Sequence, residues 1–273
     1  MNSDSLIADG ESFLAMFLKD MTHINNEQFK QHPGLTTAMI FAAGWGTRLK
    51  PWTDHHPKAL APVNGKPLLQ HNIEYLKKFG ITNIVINVHH FAGQVIEFLN
   101  AHQHFKCNIT ISHEEHEPLE TGGGLKAARQ HLEQMQPFFV INADILTNLD
   151  IGAMFRYHQQ HRPLVTLAVT SRNSSRRFLF TPEDRLCGWR NQATGQQRIS
   201  FVCNNSADKA FSGIHIVDPA IFELISEEGK FSLVDLYLRL SARHLIMGYD
   251  HSGDVLIDVG KPEAIEKAEV YFR

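Results

Sequence analysis

With 273 residues, 43% of them hydrophobic and 20% charged, the chain has the composition of a soluble globular protein and the length of one large domain or two small ones. Its formal net charge of −3 excludes a global attraction to nucleic acid, so an anionic ligand has to be held by local cations. Three scattered cysteines (Cys107, Cys187 and Cys203), with no C-x-x-C pair, predict neither a disulfide framework nor a zinc site and suit a reducing cytoplasm.

Residues 1–34 read as an extension ahead of a main domain over 35–273. The apolar run at 13–18 covers about a third of the roughly 20 residues that a membrane span needs, and it lacks the basic flank of a signal peptide. Residues 37–42 (TAMIFA) are too short and apolar for a helix and predict a buried parallel strand. A polar loop follows. The next segment, 67–79, sets Leu69, Ile73 and Leu76 at helical spacing and stops at Gly80. Residues 81–87 (ITNIVIN) are β-branched and predict a second buried strand. Helical spacing of Phe91, Val95, Phe98 and Leu99 covers 91–99, and alternating Ile109 and Ile111 mark a third strand at 107–112. A helix at 124–134 and a fourth strand at 137–142 (PFFVIN) come next. Asp150 is placed to cap a helix ending at His161, and 164–170 reads as a fifth strand.

Repeated strand–helix–strand alternation predicts an α/β fold with a mixed, mainly parallel, Rossmann-like sheet flanked by helices. Ligands of such sheets sit at the carboxyl ends of the strands, where the polar loop, Asn87 and Asn142 fall. At 177–200 the texture changes to short apolar pieces between turn-forming residues, which predicts a small antiparallel insertion acting as a flap. Ser232 and Asp235 read as a capping box for a later helix. No internal repeat is present.

The loop within 41–63 concentrates the chemistry. Gly44 and Gly46 let backbone N–H groups approach a ligand, and Arg48 and Lys58 add two positive charges, an arrangement that suits a triphosphate. It is not the dinucleotide fingerprint, because Leu49 stands at the third glycine position and Pro51 follows; nor does it contain the P-loop G-K-[ST]. Asp144, just past the fourth strand, and Asp258, in 255–262 (VLIDVGKP), are strand-end carboxylates that either cap turns or hold Mg²⁺. The run at 113–117 (HEEHE) lacks zinc-site spacing and predicts a solvated acidic turn.

From Ala42 to Val63 the chain matches every fixed position of A-A-G-x-G-x-R-x-x-P-x-T-x-x-x-P-K-x-L-x-P-V. In this it resembles the sugar-1-phosphate nucleotidylyltransferases. The resemblance implies a glycosyltransferase-A-like nucleotidyltransferase fold. It also implies transfer of a nucleoside monophosphate from a nucleoside triphosphate to a sugar 1-phosphate, with Mg²⁺ as cofactor and no nucleic-acid or membrane partner. It assigns catalysis to Arg48 and Lys58. Nucleotide contacts fall to Ala43, Gly44, Gly46, Thr47, Arg48, Lys58 and the Thr121, Gly122, Gly123 loop, and sugar contacts to Glu120, Asn142 and Gly213. The implied metal ligands are Asp144 and Asp258, with Ala143 where relatives carry glycine. The Glu-Lys-Pro triplet of many hexose members is missing, which leaves Arg172, Arg176 or Arg177 as replacements. The E-P-L-E-T-G-G-G and F-S-G-I segments favour UTP with N-acetylmuramate 1-phosphate, in cell-wall sugar recycling. The alternatives are GTP with a mannose or heptose 1-phosphate, or a non-catalytic nucleotide-sugar sensor.

Overall fold

The computed structural model of the chain describes residues 34–272, so the expected extension over 1–34 lies, Gly34 apart, outside the described residues. In chain order the elements begin with β1 (Thr37–Phe41), α1 (Leu68–Lys78), β2 (Asn83–Val88), α2 (Ala92–Ala101) and β3 (Asn108–His113). Then come α3 (Glu120–Ala127), α4 (Arg129–Leu132), β4 (Phe138–Asn142), β5 (Ile145–Thr147), α5 (Ile151–His161) and β6 (Val165–Thr170). The remainder comprises β7 (Arg176–Phe180), β8 (Leu186–Asn191), β9 (Gln197–Ile199), β10 (Ala207–Val217), α6 (Leu233–Ser241), β11 (Ile246–Asp250), β12 (Leu256–Asp258) and α7 (Pro262–Tyr271). Among the described residues no helix is long and apolar enough to cross a membrane.

The sheet runs β9-β8-β7-β10-β4-β1-β2-β3, with β6 against β10 and β11 against β6. Strands β3, β2, β1 and β4 are mutually parallel, whereas β10 enters antiparallel beside β4. The chain therefore steps outward from β1 through β2 to β3 and then crosses back to lay β4 on the other side of β1. Such a switch point opens a crevice at the carboxyl ends of the strands. Register confirms the level: Phe41 pairs with both Asn87 and Asn142, so the carboxyl-terminal ends of three strands share one row.

Helix α1 buries Leu69, Ile73 and Leu76, as its spacing predicts, and Gly80 follows at φ 77°. Asp150 caps α5 by accepting from the Ala153 N–H at 3.0 Å. Ser232 caps α6 by accepting from the Val234 N–H, but Asp235 turns away to pair with Arg198 instead of closing a capping box. Met39, Val140, Leu167, Phe178 and Tyr237 share the main core cluster. The expected insertion is built from β7, β8 and β9, antiparallel to one another and joined to the main sheet through β10.

Two expectations are corrected. The helix read at 124–134 starts at Glu120 and is broken at Ala128 into α3 and α4, so the T-G-G-G stretch is helical and not a loop. Cys187 and Cys203 form a disulfide, with Cα atoms 6.4 Å apart, where the sequence predicts none. The β8–β9 hairpin folds the chain back, and the Ser200 N–H donates to the Cys187 carbonyl, which brings together cysteines separated by 16 residues. Cysteine usage therefore no longer argues for a reducing compartment.

Candidate active site

A cleft of about 470 Å³ opens at the carboxyl ends of β1, β2 and β4. Its walls are tied together by buried polar groups. The Asn87 side-chain oxygen accepts from the Ala42 N–H (2.8 Å), and its amide donates to Glu114 Oε1 (2.6 Å). Glu114 Oε2 accepts from the Leu119 N–H at 2.8 Å. This chain links the start of the glycine loop to the segment that leads into α3. Glu114 is 3% exposed, so the predicted solvated acidic turn holds only for its neighbours Glu115, His116 and Glu117.

The glycine loop is held by apolar residues set between its polar ones. Leu49, Ala61, Val63 and Leu68 pack with Leu146 of β5, Ile257 of β12 and Ala268 of α7 in a second hydrophobic cluster. Burial of these side chains fixes Arg48 and Lys58 relative to the β5–β12 pair. That pair is antiparallel, with Asp258 opposite Ile145, and the Val259 N–H donates to the Asp144 carbonyl at 2.8 Å. Two aspartates more than a hundred residues apart in sequence thus become neighbours.

Lys58 Nζ donates to Asp144 Oδ2 in an ion pair whose side chains are 13% and 19% exposed. Arg48 lies along Gly260, where a Cβ would sit 2.6 Å from its Nη2 and 2.8 Å from Asp258 Oδ1. The carboxyl of Asp258 is raised above its ordinary range, first by desolvation and then by the charge of Asp144; Lys58, Arg48 and Arg172 pull it back. Arg172 Nη2 donates to the Phe211 carbonyl at 2.7 Å, and the Asp258 charge acts on it. Arg177 turns back to the Ser174 and Arg172 carbonyls. Ala143 is not in a left-handed conformation, so a Cβ there costs no backbone strain.

Most of the sequence-predicted residues meet in this cleft. Ala43, Gly44, Gly46, Thr47, Arg48, Lys58, Glu120, Thr121, Asn142 and Asp144 line it. Gly122, Gly123, Gly213 and Asp258 are not among its lining residues, and Asp258 stands beside the lining Gly260. A Cβ on Gly122 would lie 2.3 Å from the Phe231 ring, and one on Gly123 would lie 2.5 Å from the Gly229 carbonyl oxygen. Both glycines serve the packing of α3 on the 229–231 segment, where the N–H groups of Gly122 and Gly123 donate to the Phe231 carbonyl. Gly213, at φ 73°, lies beneath Asn142, whose Nδ2 would be 2.7 Å from a Cβ there. Among the further lining residues that sequence reasoning missed are Trp45, Glu114 and Lys230. The first sits inside the glycine signature itself; no local pattern marks the other two.

The model of the nucleotidyl transferase family matches residues 37–180. The chain belongs to this family. Among similar members is the N-acetylmuramate alpha-1-phosphate uridylyltransferase of Caulobacter vibrioides, 34% identical over 238 residues that cover 85% of this chain and 95% of that one. A probable mannose-1-phosphate guanylyltransferase of Oryza sativa subsp. japonica is 29% identical over 228 residues, 82% of this chain but 61% of that one. The chain thus spans about three-fifths of the guanylyltransferases that it matches. In structure the chain superposes on HddC from Yersinia pseudotuberculosis complexed with GMP-PN, with a TM-score of 0.71 and 23% identity, covering 88% of this chain and all of the other. That likeness supports the fold.

Proposed function

We propose that the chain transfers a nucleoside monophosphate from a nucleoside triphosphate to a sugar 1-phosphate and releases pyrophosphate. The observation that carries this reading is the convergence of Arg48, Lys58, Asp144 and Asp258 beside one cleft at the strand switch point. In this reaction a phosphate oxygen of the sugar 1-phosphate forms a bond to the α-phosphorus. The bond from that phosphorus to the bridging oxygen of the β-phosphate breaks, and pyrophosphate departs with the electron pair. The nucleophile is already ionised, so no general base is required, and catalysis is positioning plus charge stabilisation.

Each residue has a proposed part. N–H groups of the 43–47 loop cradle the triphosphate, and Arg48 stabilises the charge that grows on the leaving pyrophosphate. Lys58, paired with Asp144, turns to the α-phosphate when substrates bind. Asn142, propped from below by Gly213, bonds a sugar hydroxyl. Arg172, beside Phe211 and within the field of Asp258, is the cation for the sugar-phosphate side. The adjoining carboxylates of Asp144 and Asp258, the latter raised by desolvation and then by the charge of the former, suit a divalent cation, and Mg²⁺ takes one or two carboxylates together with phosphate oxygens. When bound, such a cation neutralises phosphate charge and orients the two phosphates.

We assign UTP and N-acetylmuramate 1-phosphate as the substrate pair, supported by the likeness to the Caulobacter uridylyltransferase along nearly its whole length. Likeness to the guanylyltransferases supports GTP with mannose 1-phosphate as the second reading. The test is pyrophosphate release with Mg²⁺, crossing UTP, GTP, CTP, dTTP and ATP against a panel of sugar 1-phosphates. Release with UTP and N-acetylmuramate 1-phosphate is expected. Release with another pair alone would move the substrate assignment and keep the chemistry. No release from folded protein that binds nucleotide would leave a sensor in its place.

A further inference from the structure

We propose that Trp45 is the platform on which the nucleobase stacks, an assignment that rests on reading the cleft as a nucleoside triphosphate site. Among the described residues that line the cleft, Trp45 is the large apolar side chain left exposed, at 48%. Its neighbours are two imidazoles: His90 at 4.6 Å, tilted by 44°, and His89 at 5.3 Å, edge-on. These rings steady the indole and leave about half of it in water. An indole is one of the largest apolar surfaces that a ligand can cover.

Position within the cleft points the same way. Arg48 and Lys58 mark the phosphate end, so the nucleoside extends from there along the remaining walls. Those walls are Trp45 on the loop side, with Pro118, Thr121 and Lys230 also lining the cleft. The loop has room to adjust, because a Cβ built on Gly44 meets nothing within 4 Å. A flat π face accepts any base, since stacking does not read the hydrogen-bonding edge. The contact therefore contributes affinity for the nucleoside and leaves the choice of base to other groups.

The experiment titrates UTP, GTP and tripolyphosphate into the wild type, Trp45→Phe and Trp45→Ala, following tryptophan fluorescence and binding heat in parallel. Both nucleotides are expected to quench the wild type, and tripolyphosphate is expected not to. The quench should vanish in Trp45→Phe although Trp52 and Trp189 remain. Trp45→Ala should weaken UTP and GTP by roughly 5- to 150-fold, the range for loss of one stacked base, with tripolyphosphate within about twofold. Trp45→Phe keeps a ring face and should bind close to wild type. Unchanged nucleotide affinity in Trp45→Ala, or an equal loss for tripolyphosphate, overturns the assignment while pyrophosphate release by the wild type leaves the proposed reaction standing. A wild type that binds neither nucleotide overturns both.

Discussion

Lys58 and Asp144 neutralise each other in the cleft, while Asp258 beside them carries a raised carboxyl. This predicts a separation between binding and chemistry. Asp144→Asn keeps the shape and a hydrogen-bond acceptor for Lys58 but removes one of the two charges proposed to hold a cation. Pyrophosphate release should fall at least about 100-fold, since a metal supplies several kcal/mol of charge stabilisation and each 1.4 kcal/mol is worth tenfold. Calorimetric affinity for the nucleoside triphosphate should change far less, because the glycine loop and Arg48 remain. Near-normal turnover in that variant would remove Asp144 from the metal role. At this scale the sequence was informative where a residue ends a strand: Asn87, Asn142, Asp144 and Asp258 all follow from buried apolar runs. Glu114 was not legible, because its burial depends on Asn87, 27 residues away, and on the Leu119 N–H.

Helix α3 shows how an element can defeat local reading. Three consecutive glycines are poor helix formers, and the stretch reads as a loop; packing on the 229–231 segment overrides that propensity. Two opposing effects meet in Gly123→Ala. Alanine gains about 1 kcal/mol of helix propensity. Its Cβ, however, would lie 2.5 Å from the Gly229 carbonyl oxygen and 2.8 Å from Leu119 Cβ. Backbone cannot yield as a side-chain tip does, so overpacking should dominate and the variant should lose about 1–3 kcal/mol in urea unfolding. Gly44→Ala is the contrast: with open space around it, its stability should stay within about 0.5 kcal/mol of wild type. Equal stability of the two variants would show that α3 is not packed as described. The strands of the antiparallel insertion were legible from their turn residues. The Cys187–Cys203 bond was not, since it depends on the β8–β9 hairpin reversing the chain.

For the whole molecule, alternation of short apolar runs and amphipathic helices was enough to predict the mainly parallel sheet, but the antiparallel entry of β10 between β4 and β6 is a choice among long-range pairings that no local pattern encodes. That choice also buries histidines, with a consequence for stability against pH. His215, beside Tyr237, is 2% exposed, and desolvation lowers its pKa to about 3. His158, beside Thr166, is lowered to about 4, with desolvation again the leading cause and the Asp218 charge opposing it. Both are neutral in the fold, whereas in the unfolded chain each takes a proton near pH 6.5. The unfolded state therefore binds more protons below pH 6.5, and stability must fall with pH from there until the folded values are reached. Between pH 7 and pH 5 each histidine should remove about 2 kcal/mol, a large part of the stability of an ordinary domain. His71 and His251 are shifted the same way and add to the slope. The raised carboxyls of Asp184 and Asp258 act in the opposite sense and at lower pH, as the folded state takes their protons first. Urea unfolding at pH 7, 6 and 5 is the check. A free energy of unfolding that stays flat across that range would mean that these two histidines are solvated or already protonated in the native state.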